Sequence, residues 1–178
     1  MHTGSASWIS VRSSELNKSQ ERKQMNEFPE NALEIANERV VGLNKLLGLR
    51  FVEAAPEKIM TEMDIQDFHH QAYGIVHGGV YAAMIESTCS NGAALTVLGE
   101  GKSVVGIENS TSFLRGVRSG TLRCVAVPNF TGKRTHVWDG RVYNGHNQLA
   151  AVGHVRLLVL EPGSRVDGVK LEFEMPNA

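Results

Sequence analysis

From residue 31 onward the apolar positions fall into regular spacings. Leu33, Ala36, Val40, Leu43 and Leu47 recur at steps of three and four, which predicts an amphipathic helix that Gly48 terminates. Residues 49–55 then read as a strand. Residues 58–65 read as its hairpin partner across Pro56-Glu57, with Ile59, Thr61, Met63 and Ile65 on one face. A polar loop over 67–74 follows, overlapping the stretch Gln71-Ala72-Tyr73-Gly74-Ile75-Val76-His77-Gly78-Gly79-Val80. That stretch feeds an Ala-rich, proline-free run to Leu98. The run predicts a long helix buried on most of its surface, broken by Gly99 and Gly101. Four strand-like segments come next, over 103–114, 121–130, 133–143 and 149–160. Turns separate them, and Asn144-Gly145 is the strongest hairpin signal in the chain. Pro162-Gly163 ends the last strand. Beyond it Val169, Leu171 and Phe173 alternate, which fits an extra edge strand or a loose end equally well.

Two strands, one long apolar helix and four more strands joined by short turns make an antiparallel sheet with a single helix to cover. The predicted fold class is therefore α+β, a curved antiparallel sheet wrapped around one long central helix. Residues 1–30 are polar and aperiodic in their first part and read as a flexible arm. Residues 31–160 form the folded domain, and 161–178 a tail.

Composition narrows the function. The 178 residues suit one domain with a real core. With 18 basic and 19 acidic residues, no charge excess steers the chain to nucleic acid or to an anionic membrane surface. No apolar run reaches the length of a membrane span. The two cysteines, Cys89 and Cys124, read as reduced core thiols in a reducing compartment, which implies a cytoplasmic protein. Neither they nor the histidines have metal-ligand spacing, so neither a metal nor any other cofactor is expected.

One residue breaks the pattern. Glu86 places an ionisable carboxylate in the middle of the apolar helix, which is costly unless the charge is paired or faces a cavity. A glutamate on a helix is usually just solvent-facing, and a His-Gly-Gly triplet is usually just a turn; it is their combination that is specific. Gly78 lies at the helix start, where backbone N–H groups lack partners and the dipole favours negative charge. Gly78-Gly79 lets a ligand approach the backbone. Glu86 is eight residues further on, about 12 Å along the axis. One small carbonyl cannot touch both groups within one helix. If both act on one reacting centre they come from two chains, with two such helices antiparallel and the site shared in a dimer. Ser90, one turn beyond Glu86, lies on the same face and is placed to orient the carboxylate or a water. His77 reads first as a structural residue near the helix N-cap. Ser87 and Cys89 have no positioned base and are poor nucleophile candidates.

The stretches YGIVHGGVYAAMIEST, ENSTSFLRGVRSG and TGKRTHVWDGRVYN resemble the hotdog-fold acyl-CoA thioesterases. The nearest subgroup is the PaaI-like one, with the 4-hydroxybenzoyl-CoA thioesterase type that carries its glutamate on the central helix. The resemblance spans residues 46–160. It implies Glu86 as nucleophile or general base on water, Gly78 as backbone donor to the thioester oxygen, and Gln71 as a side chain that polarises the carbonyl or holds the leaving group. It further implies His77 as the residue shaping the oxyanion loop and Ser90 as the hydroxyl that holds water or the acyl group. The family assembly is a dimer pairing into a homotetramer. A thioester needs little more than a carboxylate and an oxyanion donor, because its thiolate leaves readily.

CoA phosphates require cations near the site mouth. Arg115 sits where the family often has an Arg, and Lys133 and Arg134 sit where relatives contact the nucleotide or pantetheine. Solvated surface cations are the competing reading for all three. Gly116 replaces the proline common in the family after Arg, which loosens that turn. Around the pocket, Tyr73, Tyr81, Met84 and Phe113 suit an aryl ring or a fatty chain alike, with Gly79 beside them. A hotdog dehydratase, a non-catalytic acyl-CoA-binding module and an acyl-carrier-protein thioesterase are the alternatives. The acyl-CoA thioesterase reading best accounts for Gln71, Gly78, Glu86 and Ser90 occurring together.

Overall fold

The structure is a computed structural model that describes residues 28–170. The expectation of a flexible arm over 1–30 lies almost wholly outside the described residues, as do Leu171 and Phe173 of the alternating tail.

Where one N-terminal helix is expected, two short ones occur: α1 (Ala32–Glu38) and α2 (Gly42–Leu46). The break has local causes. Gly42 adopts φ +53, a left-handed conformation that glycine tolerates and that no helix continues through. Asn37 ties α1 to the first strand: its Nδ2 donates to the Phe51 carbonyl at 2.9 Å, and the Phe51 N–H donates to its Oδ1 at 3.0 Å. Ile35 and Ala36 are buried, whereas Leu43 and Leu46 of α2 are exposed.

Strands β1 (Arg50–Ala55) and β2 (Lys58–Asp64) form the predicted hairpin. A 3₁₀ turn, Asp67–His69, leads to the central helix α3 (Gly78–Val97). Strands β3 (Ser103–Phe113), β4 (Thr121–Thr131), β5 (Thr135–Tyr143) and β6 (Leu149–Leu160) complete an antiparallel sheet of six strands in the order β1-β2-β4-β5-β6-β3. Among the described residues strand β3 pairs only with β6 and is an edge of that sheet. Beyond it Arg165–Val166 and Val169–Lys170 make a small separate hairpin, so this part of the tail does not extend the main sheet.

Alternation places one face of β2, β4, β5 and β6 on α3. Ile59, Thr61 and Met63 from β2, Leu122, Cys124 and Ala126 from β4, Trp138 and Val142 from β5, and Val155 and Leu157 from β6 are all fully buried. They meet Tyr81, Met84, Ile85, Thr88, Cys89 and Ala93, one stripe of the helix. The two buried threonine hydroxyls are satisfied: Thr61 and Thr88 share a 2.7 Å hydrogen bond, and the Thr88 Oγ1–H is also within reach of the Met84 carbonyl. The helix is less enclosed than its composition predicts. Ala82, Ala83, Glu86, Ser87 and Ser90 are only half-buried, because the sheet covers one side of the helix and the described residues cover the other only in part, where Asn44 of α2 accepts from the Ser87 hydroxyl.

The Asn144-Gly145 hairpin is present, but not as a two-residue turn. The loop spans 144–148, its left-handed residue is Asn147 at φ +59, and Asn144 Oδ1 accepts from the N–H groups of His146 and Gln148. The asparagine side chain, not the following glycine, makes this turn.

Candidate active site

The loop before α3 is held from several sides. Gln71 N–H donates to the Ile75 carbonyl and Val76 N–H to that of Val117, at 2.9 and 2.8 Å. Arg118 Nη1 donates to the carbonyls of Tyr73 and Gly74, and His70 Nε2 bonds the Arg118 carbonyl. Sequence reasoning missed Arg118, because its partners are backbone atoms more than forty positions away. The last link is His69, which is buried. Its Nδ1 accepts from Gln66 N–H and its carbonyl accepts from His77 N–H, both at 2.9 Å. Burial pushes the His69 imidazole below its ordinary pKa.

His77 is the N-cap of α3, and its Nδ1 accepts from Gly79 N–H at 2.9 Å. The Val80 N–H goes to the His77 carbonyl. The Gly79 donor is thus already occupied, and among the described residues the Gly78 N–H is the donor of that first turn with no hydrogen-bond partner. It lies at a cavity of about 260 Å³ that Gln71, Tyr81, Phe113 and Arg115 also line. The Phe113 ring rests directly on Gly78: a Cβ there would fall 2.6 Å from its edge. Its centroid is 6.1 Å from that of Tyr81.

The other sequence-predicted residues divide. Tyr73 is 80% exposed and does not line this cavity in the single chain, and Met84 is fully buried core rather than pocket wall. Arg115 lies beyond the end of β3, at the cavity. Lys133 and Arg134 are exposed in the β4–β5 turn and do not join Gly78 in that cavity. They lie instead at the end of the sheet where Thr135 pairs with Leu158 and Leu158 with Val105.

Glu86 lies two turns along α3, on the half-buried side facing β3. Ser90 Oγ donates to its Oε1 at 3.1 Å, the contact that their spacing predicts. Asn109, on β3, donates through Nδ2 to Oε2 at 2.9 Å. Gly106 leaves the space that the carboxylate fills, since a Cβ there would fall 2.3 Å from Oε1. Asn109 and Gly106 were not legible as site residues. They are three apart, so simple alternation puts them on opposite faces of a strand. The register of β3 against β6 shifts between Gly106 and Glu108. That one-residue bulge at Ile107 brings both onto the helix side.

Cys89 and Cys124 are buried and unbridged. Burial pushes the Cys124 thiol up to about 12 and raises that of Cys89, so neither is a thiolate nucleophile near neutral pH. No cluster of potential metal ligands occurs among the described residues, and none of their helices is long and apolar enough to cross a membrane.

A curved antiparallel sheet of six strands on one long central helix defines the hotdog class. Residues 73–151 match the model of the thioesterase superfamily. The Mycobacterium tuberculosis protein Rv1847 is 41% identical over 117 residues, 65% of this chain and 84% of that protein. The proofreading thioesterase EntH of Cronobacter turicensis is 30% identical over 129 residues, 72% of this chain and 93% of that one. The crystal structure of thioesterase HI1161 from Haemophilus influenzae superposes with a TM-score of 0.69 at 31% identity, covering 72% of this chain and 90% of that one. The chain belongs to the thioesterase superfamily and is a hotdog-fold thioester hydrolase.

Proposed function

We propose that this protein hydrolyses acyl-CoA thioesters to the free acid and CoA, in the manner of the PaaI-like, 4-hydroxybenzoyl-CoA thioesterase type. The acyl group is an aryl ring or a fatty chain. The observation that carries this reading is the pair of complementary groups on α3: the Glu86 carboxylate, held by Ser90 and Asn109, and the unpaired Gly78 N–H at the cavity. Glu86 attacks the thioester carbonyl or takes the proton of the attacking water. The Gly78 N–H, at the positive end of the helix dipole, donates to the oxyanion. Gln71, lining the same cavity, donates to the carbonyl oxygen or steadies the departing thiolate. His77 holds the loop by capping the helix. Arg115 at the cavity mouth, with Lys133 and Arg134, meets the CoA phosphates.

The two reacting groups are about 12 Å apart along one helix, so each site takes them from two copies of the chain. Strand β3 is the edge through which the copies meet. It is eleven residues long, and its outer side is unpaired among the described residues, a ready template for a second strand; Ile107 and Phe113 on it are exposed. Pairing of two β3 edges sets two α3 helices side by side and antiparallel, and covers the half-buried helix face. Two dimers then form the tetramer. The buried, unbridged thiols fit the reducing cytoplasm.

The test is thiol release from a panel of aryl- and short- to long-chain acyl-CoAs, with wild type and Glu86→Ala side by side. The expected result is turnover of one substrate class, lowered about 10²- to 10⁴-fold by the substitution, with oligomeric state unchanged. Acyl-CoA binding without turnover across the panel overturns the reading in favour of a binding module or a carrier-protein substrate.

A further inference from the structure

We propose that Asn109 and Thr111 are positioning residues for the Glu86 carboxylate, a role that rests on the reading of Glu86 as the reacting group. Both polar atoms of the Asn109 side chain are engaged. Its Nδ2 donates one hydrogen to Glu86 Oε2 at 2.9 Å and the other to the Ala82 carbonyl at 3.1 Å. Its Oδ1 accepts from the Thr111 hydroxyl at 2.6 Å. These three partners settle which end of the amide faces the carboxylate. The Ala82 carbonyl and the Glu86 carboxylate only accept, so the NH₂ end must point at them, and the Thr111 hydroxyl, which can donate, serves Oδ1. Turned over, the amide would set an oxygen against a carboxylate oxygen.

The geometric consequence concerns the freedom of Glu86. A glutamate on a half-open helix face has three side-chain torsions and no reason to hold one arrangement. Here each carboxylate oxygen has its own donor. Ser90, on the same helix, takes Oε1, and Asn109, on the edge strand, takes Oε2. Gly106 gives Oε1 room against the strand. Ala82 is one turn before Glu86, so one amide grips both the helix backbone and the carboxylate above it. Asn109 therefore fixes the carboxylate relative to β3, the strand on which the partner chain is proposed to dock. Reactive geometry at a shared site depends on that distance, and a displacement of about 1 Å can cost about 10²-fold in rate.

The experiment compares Asn109→Ala, Asn109→Asp, Thr111→Val and Glu86→Gln with wild type, using the acyl-CoA that wild type turns over best. It records kcat, KM, thermal midpoint and oligomeric state. Asn109→Ala removes the donor. Asn109→Asp keeps the shape and the Thr111 contact but sets a like charge against Glu86. Thr111→Val leaves the amide facing Glu86 but removes the donor that anchors its Oδ1. The expected result is kcat lowered about ten-fold or more by both Asn109 variants and less by Thr111→Val. KM, midpoint and assembly stay near wild type. Unchanged kcat in all three, with Glu86→Gln inactive, overturns the positioning role and leaves the function standing. Loss of kcat only in step with loss of midpoint or assembly also overturns it, because Asn109 is then a structural strap. Full turnover by Glu86→Gln overturns the catalytic reading itself, and the positioning role with it.

Discussion

The conformation of Glu86 depends on what is missing beside it as much as on its hydrogen bonds. Gly106 has no side chain, and the carboxylate occupies the space a Cβ would need, with Oε1 only 2.3 Å from that position. The obstructed atom is the far end of a flexible side chain, so Gly106→Ala is accommodated by moving the carboxylate and not the backbone. We predict a drop in kcat of about ten-fold or more with a thermal midpoint close to wild type. A variant with full activity would show that the carboxylate does not need this position. Gly78 follows the same logic with a different neighbour: any side chain there displaces the Phe113 ring. The Gly79 N–H is committed to His77 and offers no second donor to substrate.

At the scale of elements, α3 is positioned by how closely it approaches the sheet. At Gly92 a Cβ would fall 2.6 Å from the Trp138 ring and 2.8 Å from Ile59. Both side chains are fully buried, so neither has room to retreat. Gly92→Ala gains helix propensity of up to about 1 kcal/mol but overpacks the core at a cost of about 1–3 kcal/mol. The net expectation is destabilisation, visible as a lower urea midpoint with the m-value unchanged. A stabilised variant would mean that α3 can lift off the sheet without cost. The bulge in β3 is the other decisive local feature, because it sets which of its residues face α3.

For the whole molecule, the exposed β3 edge and the half-open face of α3 are proposed to meet a second copy. Ile107 is 54% exposed on that edge, at the bulge. Ile107→Arg places a charge where two such edges would pair. We predict monomers by light scattering and activity reduced to the level of Glu86→Ala. A dimer that persists with full activity would place the interface elsewhere. A second whole-molecule property is the dependence of stability on pH. Burial lowers the pKa of both His69 and His136 below the ordinary 6.5. The unfolded chain then binds more protons than the folded one between the lowered values and 6.5. Stability is fully present above 6.5 and falls as pH drops through that range. Denaturant midpoints should therefore decline from pH 7 toward pH 5, and less steeply in a His69→Gln variant. An identical slope in that variant would exclude His69 as a contributor.

Periodicity and turn signals located the central helix and all six main strands to within two residues. The lone carboxylate and the Gly-Gly helix entry marked both ends of the candidate site. These signals are local: a buried stripe, an alternating face and an unpaired helix start depend on residues a few positions apart. The break between α1 and α2 was not legible, because Asn37 is drawn to the Phe51 backbone and the helical spacing carries on across Gly42. Nor was the loop over 144–148, where an asparagine side chain replaces the turn that the following glycine advertises. Asn109, Thr111 and Gly106 stayed hidden for one reason. A single bulged residue shifts the phase of β3, and only pairing with β6 forces that bulge. What the sequence by itself determined was the central helix, the six main strands and the positions along the chain of the two groups proposed to react. Only the tertiary structure decided which strand is the open edge, which face of α3 it flanks, and which side chains hold the carboxylate, because each depends on contacts between residues far apart in the chain.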